Sequence, residues 1–319
     1  MNPLSAIYAA GVRLRNESYD RGVLVSQKLA APVISVGSIS AGGAGKTPFV
    51  IFLGEFLQAH GVRFDVLSRG YGRQSRGVRV VDRNGSPAEY GDEPLLISRR
   101  LGCPVVVGEN RFEAGVLAEQ QFGAELHLLD DGFQHRALER DLNVVLLTPD
   151  DLADTLLPIG RLREPIRSLE RADVIAAAEG VDAGRIPEIR NPVWRVRRGI
   201  RLPGTSQAPV VFCGIARPKR FFDQLRAIGV RAVAHQTYPD HHAYTGEDVE
   251  ALLQLARHNN ADGFITTEKD RINLGERLDR LGDVTVAEVT IEIEPADALH
   301  AVLRLLVRRE PPHEKIRSQ

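Results

Sequence analysis

Short apolar runs alternate along the chain with longer segments whose apolar residues recur at helical spacing. Strands alternating with helices are typical of βαβ units, which build a mostly parallel sheet covered by helices. The sequence therefore predicts an α/β fold with a mostly parallel sheet flanked by helices. The runs that predict strands in the first part of the chain are Pro32–Val36, Phe64–Leu67, Val105–Val107, Leu126–Leu129, Val144–Leu147 and Val174–Ala177.

The pattern changes between about Asn191 and Ala208, where Arg, Pro and Gly residues mix. We predict a boundary there, with one α/β domain over residues 31–205 and a smaller α/β domain over 206–319. The spacing from Thr245 to Asp248 is that of a capping box and predicts a helix through His258. The predicted strands of the second domain are Val210–Ile215, Arg231–His235, Gly263–Thr266 and Val284–Ile293.

Residues 4–30 are predicted to be helical and amphipathic, and basic residues outnumber acidic ones there. Two interpretations are open for this N-terminal segment, residues 1–30. It lies on an anionic membrane surface, or it packs on its own domain. Periodicity alone favours the packed helix.

Composition excludes some classes of protein. A net charge of −1 over 319 residues argues against a general nucleic-acid binder, which needs an excess of Lys and Arg. The two cysteines, Cys103 and Cys213, are far apart and suggest no disulfide or zinc site, which fits a reducing cytoplasm. Nowhere do 18 apolar residues run together, so we expect no membrane-spanning helix.

A glycine-rich segment with Lys and Thr at its end follows directly on the first predicted strand. Backbone N–H groups of such a loop cradle phosphates, Lys46 can reach the β- and γ-phosphates, and Thr47 can bind Mg²⁺. Ser40 stands where the strict P-loop pattern has its first glycine. The predicted nucleotide-binding residues are Ser40, Ala41, Gly42, Gly43, Ala44, Gly45, Lys46 and Thr47.

Acidic residues follow another predicted strand in the manner of a Walker B motif. Asp130 and Asp131 end the run that begins at Leu126, and such carboxylates hold Mg²⁺ directly or through water in P-loop enzymes. The segment Thr266 to Asp270 departs from the order that reads guanine, so ATP is favoured over GTP. The residues thus predict a protein that binds ATP and Mg²⁺.

Three further positions carry candidate chemistry, each with a simpler alternative. Asp92 precedes a helix, where an acid that interacts with the helix dipole is the favoured interpretation. Glu164 lies in a loop that either faces phosphates or forms surface ion pairs. His241 and His242 lie before the capped helix, and acid–base work with a carboxylate is favoured over metal binding because no zinc ligand set is complete.

Seven motifs occur in order over nearly the whole chain and together resemble the tetraacyldisaccharide 4′-kinase family of Gram-negative bacteria. The most specific is Asp-Asp-Gly-Phe-Gln-His-Arg. The motifs are Gly42 to Pro48, Ser68 to Arg73, Gly91 to Pro94, Asp130 to Arg136, Gly160 to Pro165, Asp240 to His242 and Thr266 to Asp270.

The resemblance implies a P-loop kinase domain over 31–205 and transfer of the ATP γ-phosphoryl group to the 4′-hydroxyl of a tetraacylated glucosamine disaccharide 1-phosphate. It implies that Asp92 is the base, that His241 is its partner, and that Lys46 assists transfer. It also implies that Thr47, Asp130, Asp131 and Glu164 lie at the metal.

The resemblance also bears on partners and location. It makes residues 1–30 a membrane-associating helix at the cytoplasmic face of the inner membrane, which reverses the preference from periodicity. The expected partners are the lipid A disaccharide precursor and the membrane surface, with no nucleic acid and no obligate protein partner. The order within the motif favours His241 over His242.

Two other classes of protein compete with this prediction. A P-loop ATPase switch of the partition or metallochaperone type usually has a signature lysine where this chain has Ala41, which counts against it. A nucleotide-binding regulator without catalysis would have no use for a base and a histidine. A phosphoryl-transfer assay with the lipid acceptor separates the three.

Overall fold

The computed structural model describes residues 3–182, 184, 186, 191–204 and 206–307. In these ranges twelve strands form one sheet, in the order β10-β9-β11-β12-β8-β7-β6-β1-β5-β2-β4-β3. The strands are β1 (Val33–Ser38), β2 (Phe64–Ser68), β3 (Arg79–Val80), β4 (Val105–Val107), β5 (Leu126–Asp130), β6 (Leu142–Leu147), β7 (Val174–Ala178), β8 (Val193–Arg201), β9 (Pro209–Cys213), β10 (Ala234–Thr237), β11 (Gly263–Thr267) and β12 (Val284–Glu294).

Most neighbouring strands are parallel, as the alternation of elements predicts. Only β3 with β4 and β8 with β12 are antiparallel among the described pairs. The α-helices are α1 (Pro3–Asp20), α2 (Lys46–Ala59), α3 (Pro87–Tyr90), α4 (Asp92–Leu101), α5 (Arg111–Phe122), α6 (Pro218–Ala227), α7 (Gly246–His258), α8 (Glu268–Leu274) and α9 (His300–Val307).

Helices cover both faces of the first half of the sheet. Side chains of β5 alternate between two apolar clusters: Leu128 packs with α2 and α4, whereas Leu129 packs with α5. Burial on both faces explains why these strands are continuous apolar runs. It also holds the carboxyl ends of β1 and β5 side by side, because Val36 pairs with Asp130 in the parallel register.

The second half of the sheet has its own apolar clusters around β9 and β11, with α6 and α7 against them. It is joined to the first half through the long antiparallel pair of β8 and β12. Residue 205 lies outside the described residues, as do residues 308–319. The division at 205/206 stays a prediction.

Strand β8 runs through the stretch of mixed Arg, Pro and Gly residues where we predicted the domain boundary and no strand. Trp194 and Val196 are buried, while Arg195 and Arg197, which alternate with them, are exposed. Alternation of this kind places one face of a strand in the core. The arginines on the outer face hid the pattern.

The predicted helix over 4–30 is too long, since α1 ends at Asp20. Gly22 has a φ of 71°, which the left-handed turn requires, and its N–H bonds to the carbonyl of Tyr19. The strand predicted at 231–235 also shifts, and lies at 234–237 as β10. The capped helix from Thr245 to His258 is confirmed, with both capping-box bonds present.

Candidate active site

The glycine-rich loop lies between β1 and α2. Gly42, Gly43 and Gly45 all have φ between 68° and 88°, a region where a side chain would be strained. Ser40 is not among the residues with positive φ and is fully buried, and its neighbour Ala41 donates its N–H to the carbonyl of Arg161 at 2.8 Å. A serine therefore fits the first position of this loop without backbone strain.

Lys46 and Thr47 begin α2 directly after the loop. The Lys46 ammonium lies 3.4 Å from the Ser38 hydroxyl and 3.4 Å from Oδ1 of Asp131. The lysine charge thus lies between the ends of β1 and β5. This is the position from which a P-loop lysine reaches phosphate oxygens.

Asp130 and Asp131 lie at the end of β5. Asp130 is 2 % exposed, and its Oδ2 accepts a hydrogen bond from Ser68 at 3.1 Å. Burial, with the nearby charges of Glu93 and Asp131, raises the pKa of Asp130 to about 7. Burial alone would raise the pKa of Asp131, but Lys46 and Arg163 outweigh it and the pKa lies below its usual range.

The two carboxylates suit a divalent cation. Oδ1 of Asp130 is buried without a hydrogen-bond partner among the described residues, and buried Oδ1 of Asp131 has only the Lys46 ammonium at 3.4 Å. No group of three or more His, Cys, Asp or Glu side chains in that part of the chain could hold a metal by itself. Mg²⁺ in kinases is commonly held by one or two carboxylates together with substrate phosphates, so this donor set fits it.

Glu164 is 1 % exposed and is held by neighbours on three sides. It accepts hydrogen bonds from Asn16 at 2.8 Å, Gln134 at 3.2 Å and Arg171 at 2.6 Å. It is not among the residues that line the cleft described below. The structure thus places Glu164 behind Gln134 and against α1, and its role at the metal stays a prediction.

Asp92 and His241 meet although they are 149 residues apart. Asp92 is the first residue of α4 and is 5 % exposed. His241, at a φ of 59°, has its Nδ1 2.8 Å from Oδ2 of Asp92. The neighbouring His242 instead has its Nε2 3.0 Å from Asp248 and stacks on Tyr238, so the structure brings His241 to Asp92.

The charges around this pair favour an ionised carboxylate. Burial raises the pKa of Asp92, but the hydrogen bond from His241 and the Lys269 charge outweigh it, so its pKa lies below the usual range. The hydrogen bond to Asp92 raises the pKa of His241, against the opposing effects of burial and Lys269.

Lys269 and Asn273 complete the surroundings of the pair and were given no role from the sequence. The Lys269 ammonium lies 3.2 Å from Nε2 of His241 and 2.8 Å from Asp240, and Asn273 donates to Asp92 at 3.3 Å. Lys269 falls within the Thr266 to Asp270 motif, which was the available signal. Asn273 lies on α8 outside every motif, and only the packing of α8 on α4 brings it there.

One cleft joins the loop, the carboxylates and the pair. It has a volume of about 960 Å³ and is lined by both halves of the chain, including Lys46, Asp131, His241 and Lys269. Its size suits a nucleotide and part of a second substrate. The fold and the site define an ATP-dependent phosphotransferase of the P-loop class.

Known proteins agree with this class and narrow it. The model of the family described as tetraacyldisaccharide-1-P 4′-kinase (LpxK) matches residues 1–307. The chain is 46% identical to the tetraacyldisaccharide 4′-kinase of Koribacter versatilis over 97% of this chain and 100% of that protein. It is 39% identical to the same enzyme of Geobacter metallireducens, over 91% of this chain and 92% of the relative.

A solved structure agrees as well. LpxK from Aquifex aeolicus, in complex with ATP, superposes with a TM-score of 0.75 at 31% identity, over 96% of this chain and 97% of that one. The chain belongs to the tetraacyldisaccharide 4′-kinase family. It is a kinase that uses ATP with Mg²⁺, and the ATPase-switch alternative is not favoured.

Proposed function

We propose that the chain transfers the γ-phosphoryl group of ATP to the 4′-hydroxyl of a tetraacylated glucosamine disaccharide 1-phosphate, a precursor of lipid A. The observation that carries this proposal is the contact of Asp92 with His241, which lines the cleft together with Lys46. A switch ATPase must activate only water, whereas a kinase needs a proton acceptor for a bound hydroxyl.

The pair acts on the acceptor hydroxyl as one unit. The Nδ1–H of His241 is donated to the Asp92 carboxylate, which stabilises the charge that forms when the pair takes up the hydroxyl proton. Nε2 of His241 faces the Lys269 ammonium at 3.2 Å, so the acceptor hydroxyl must take the place of that contact. The contacts of Lys269 with His241 and of Asn273 with Asp92 fix the orientation of the two side chains.

The loop residues 40–47 hold the triphosphate, and Lys46 offsets the charge that develops on the transferred group. Thr47, Asp130 and Asp131 would hold Mg²⁺, which would neutralise charge on the nucleotide phosphates. For Glu164 we propose that its carboxylate orients Gln134, which lines the cleft with the metal carboxylates.

The enzyme works at the cytoplasmic face of the inner membrane, and α1 provides the contact. No described helix is long and apolar enough to cross a bilayer. The polar side of α1 packs on the rest of the chain. The Tyr8 hydroxyl donates a hydrogen bond to the carbonyl of Arg163, and the Asn16 side chain donates one to Glu164. Large apolar side chains are exposed on α1 and in the segment that follows it: Leu4, Ile7, Leu14, Val23, Leu24 and Val25.

This arrangement supports both interpretations of the N-terminal segment at once. One side of α1 packs on the protein, while the apolar side chains are exposed toward an anionic surface together with Arg13 and Arg21, which pair with Glu17. A lipid acceptor leaves a bilayer only at a cost of about 0.8 kcal/mol per CH₂, so the enzyme must come to the membrane.

The test is transfer of label from γ-labelled ATP to the lipid disaccharide with Mg²⁺, with and without lipid. We expect label in the lipid and little hydrolysis in its absence, because water is excluded until both substrates are bound. A reaction without enzyme gives the background of the assay, and an Asp92→Asn variant shows how much transfer remains without the carboxylate. Rapid ATP hydrolysis at the same rate with and without lipid, and no label in the lipid, would contradict the proposal.

A further inference from the structure

Three arginines of the second half of the chain gather over the glycine-rich loop. Arg198 lies on β8, Arg217 precedes α6, and Arg220 lies in the first turn of α6. All three line the same cleft as Lys46. No motif of the sequence contains them, and the function described above gives them no role.

Two of these side chains rest directly on loop glycines. A Cβ on Gly43 would lie 2.6 Å from Nε of Arg217 and 2.9 Å from its Cδ, and a Cβ on Gly45 would overlap the Arg198 guanidinium. The glycines whose N–H groups surround phosphates thus also make room for guanidinium groups on the other side of the cleft.

The cluster has more positive charge than its surroundings neutralise. Among the described residues its only ion pair joins Nη1 of Arg217 to Oδ2 of Asp150, at 2.9 Å, and the Asp150 side chain is 56% exposed. Nε of Arg198 and both Nε and Nη2 of Arg217 are buried without a hydrogen-bond partner among the described residues. Unpaired buried guanidinium donors are costly, and a phosphate is the anion that suits their planar fork.

The electrostatics agree with this geometry. Burial, with the nearby positive charges of Arg220 and Arg217, lowers the pKa of Arg198 to about 10. Burial and Arg217 also lower the pKa of Arg220, against the charges of Asp150 and Glu179. Like charges held together in a cleft indicate a bound anion that offsets their repulsion.

We propose that Arg198, Arg217 and Arg220 bind the terminal phosphates of the nucleotide from the side opposite Lys46, so that both halves of the chain clamp the triphosphate. The inference rests on ATP as the phosphoryl donor and not on the identity of the acceptor. The phosphate of the lipid acceptor is the other source of the same chemistry. Contact with Gly43 and Gly45 favours the nucleotide.

The test measures binding of ATP, ADP and AMP, with Mg²⁺ and without lipid, to Arg198→Ala and Arg217→Ala. A lost charged hydrogen bond corresponds to about a tenfold or greater loss of affinity. We therefore expect each variant to bind ATP more weakly by that factor and to bind AMP as the wild type does. Arg217→Lys keeps the charge and should recover part of the affinity.

Matched controls come from the same elements. Arg201→Ala on β8 and Arg226→Ala on α6 remove exposed arginines outside the cleft and should leave ATP affinity unchanged. Asp150→Ala breaks the ion pair of Arg217 and keeps the guanidinium. If it weakened ATP binding as much as Arg217→Ala, the arginine would act only through that ion pair and the proposal would fail.

Other outcomes also decide the question. Unchanged ATP affinity with a raised KM for lipid would assign the cluster to the acceptor phosphate and overturn the inference. Equal losses for AMP and ATP would show a structural role and overturn it too. Because binding is measured without lipid, a wild-type protein that failed to phosphorylate the proposed acceptor would leave this result intact.

Discussion

Removing the side chain of Asp92 or of His241 is the most direct test of the proposed phosphoryl transfer. Their 2.8 Å contact joins the two halves of the chain, and both residues line or border the cleft that holds Lys46. Positioned acid–base groups contribute about 10²- to 10⁴-fold to rate, so Asp92→Ala and His241→Ala should each lower kcat by that factor. ATP affinity should change little, because the pair acts on the acceptor hydroxyl.

The double variant distinguishes a unit from two independent groups. If Asp92 acts through His241, removing both costs about as much as the worse single change. Independent groups would multiply to about 10⁴- to 10⁸-fold. Steady-state kinetics with saturating ATP measure the loss, and a multiplicative result would refute the pair as a unit.

The pH profile gives a second measurement of the same contact. The pair accepts a proton only when His241 is unprotonated, so kcat/KM should fall as pH drops through the pKa of His241. That pKa is raised by Asp92, which places the acid limb above the ordinary histidine value of about 6.5. Asp92→Asn removes the raising contact, so the limb of its residual activity should move to lower pH.

The neighbouring histidine is the matched control. His242 pairs with Asp248 and stacks on Tyr238, outside the residues that line the cleft. His242→Ala should therefore keep most of kcat, with thermal unfolding checked in parallel. A loss at His242 equal to that at His241, in a folded protein, would reverse their assignment.

The remaining predictions concern other parts of the molecule. Lys46→Ala should lower transfer at least ~10²-fold, measured by labelled ATP, and near-normal activity would refute the phosphate-loop assignment. Deletion of residues 1–28 should weaken co-sedimentation with anionic vesicles at low salt and raise the KM for lipid; equal binding would make α1 only a packed helix. His127→Phe should lower the free energy of unfolding in urea by about 3–5 kcal/mol, because it leaves the fully buried Asp65, 2.8 Å from His127, without its partner. Replacing both residues with valine should restore much of that stability.

Much of the first half of the fold is determined by local sequence. Parallel strands buried on both faces need continuous apolar runs, and the runs at 64–67, 105–107 and 126–129 match observed strands closely. The phosphate loop is also local, because glycines with positive φ followed by Lys46 and Thr47 set its backbone. β8 escaped prediction since its exposed arginines masked a pattern that only pairing with β7 and β12 completes.

The site depends on contacts that sequence distance conceals. The motifs of the sequence included Asp92, His241 and Lys269, but only the sheet order and the packing of α8 on α4 place Asp92 and Lys269 within hydrogen-bond distance of His241. Glu164 belonged to a motif too, yet α1 and Arg171 surround its carboxylate. The arginines over Gly43 and Gly45 carried no local signal, because a buried, unpaired guanidinium is a property of the folded cleft and not of neighbouring residues.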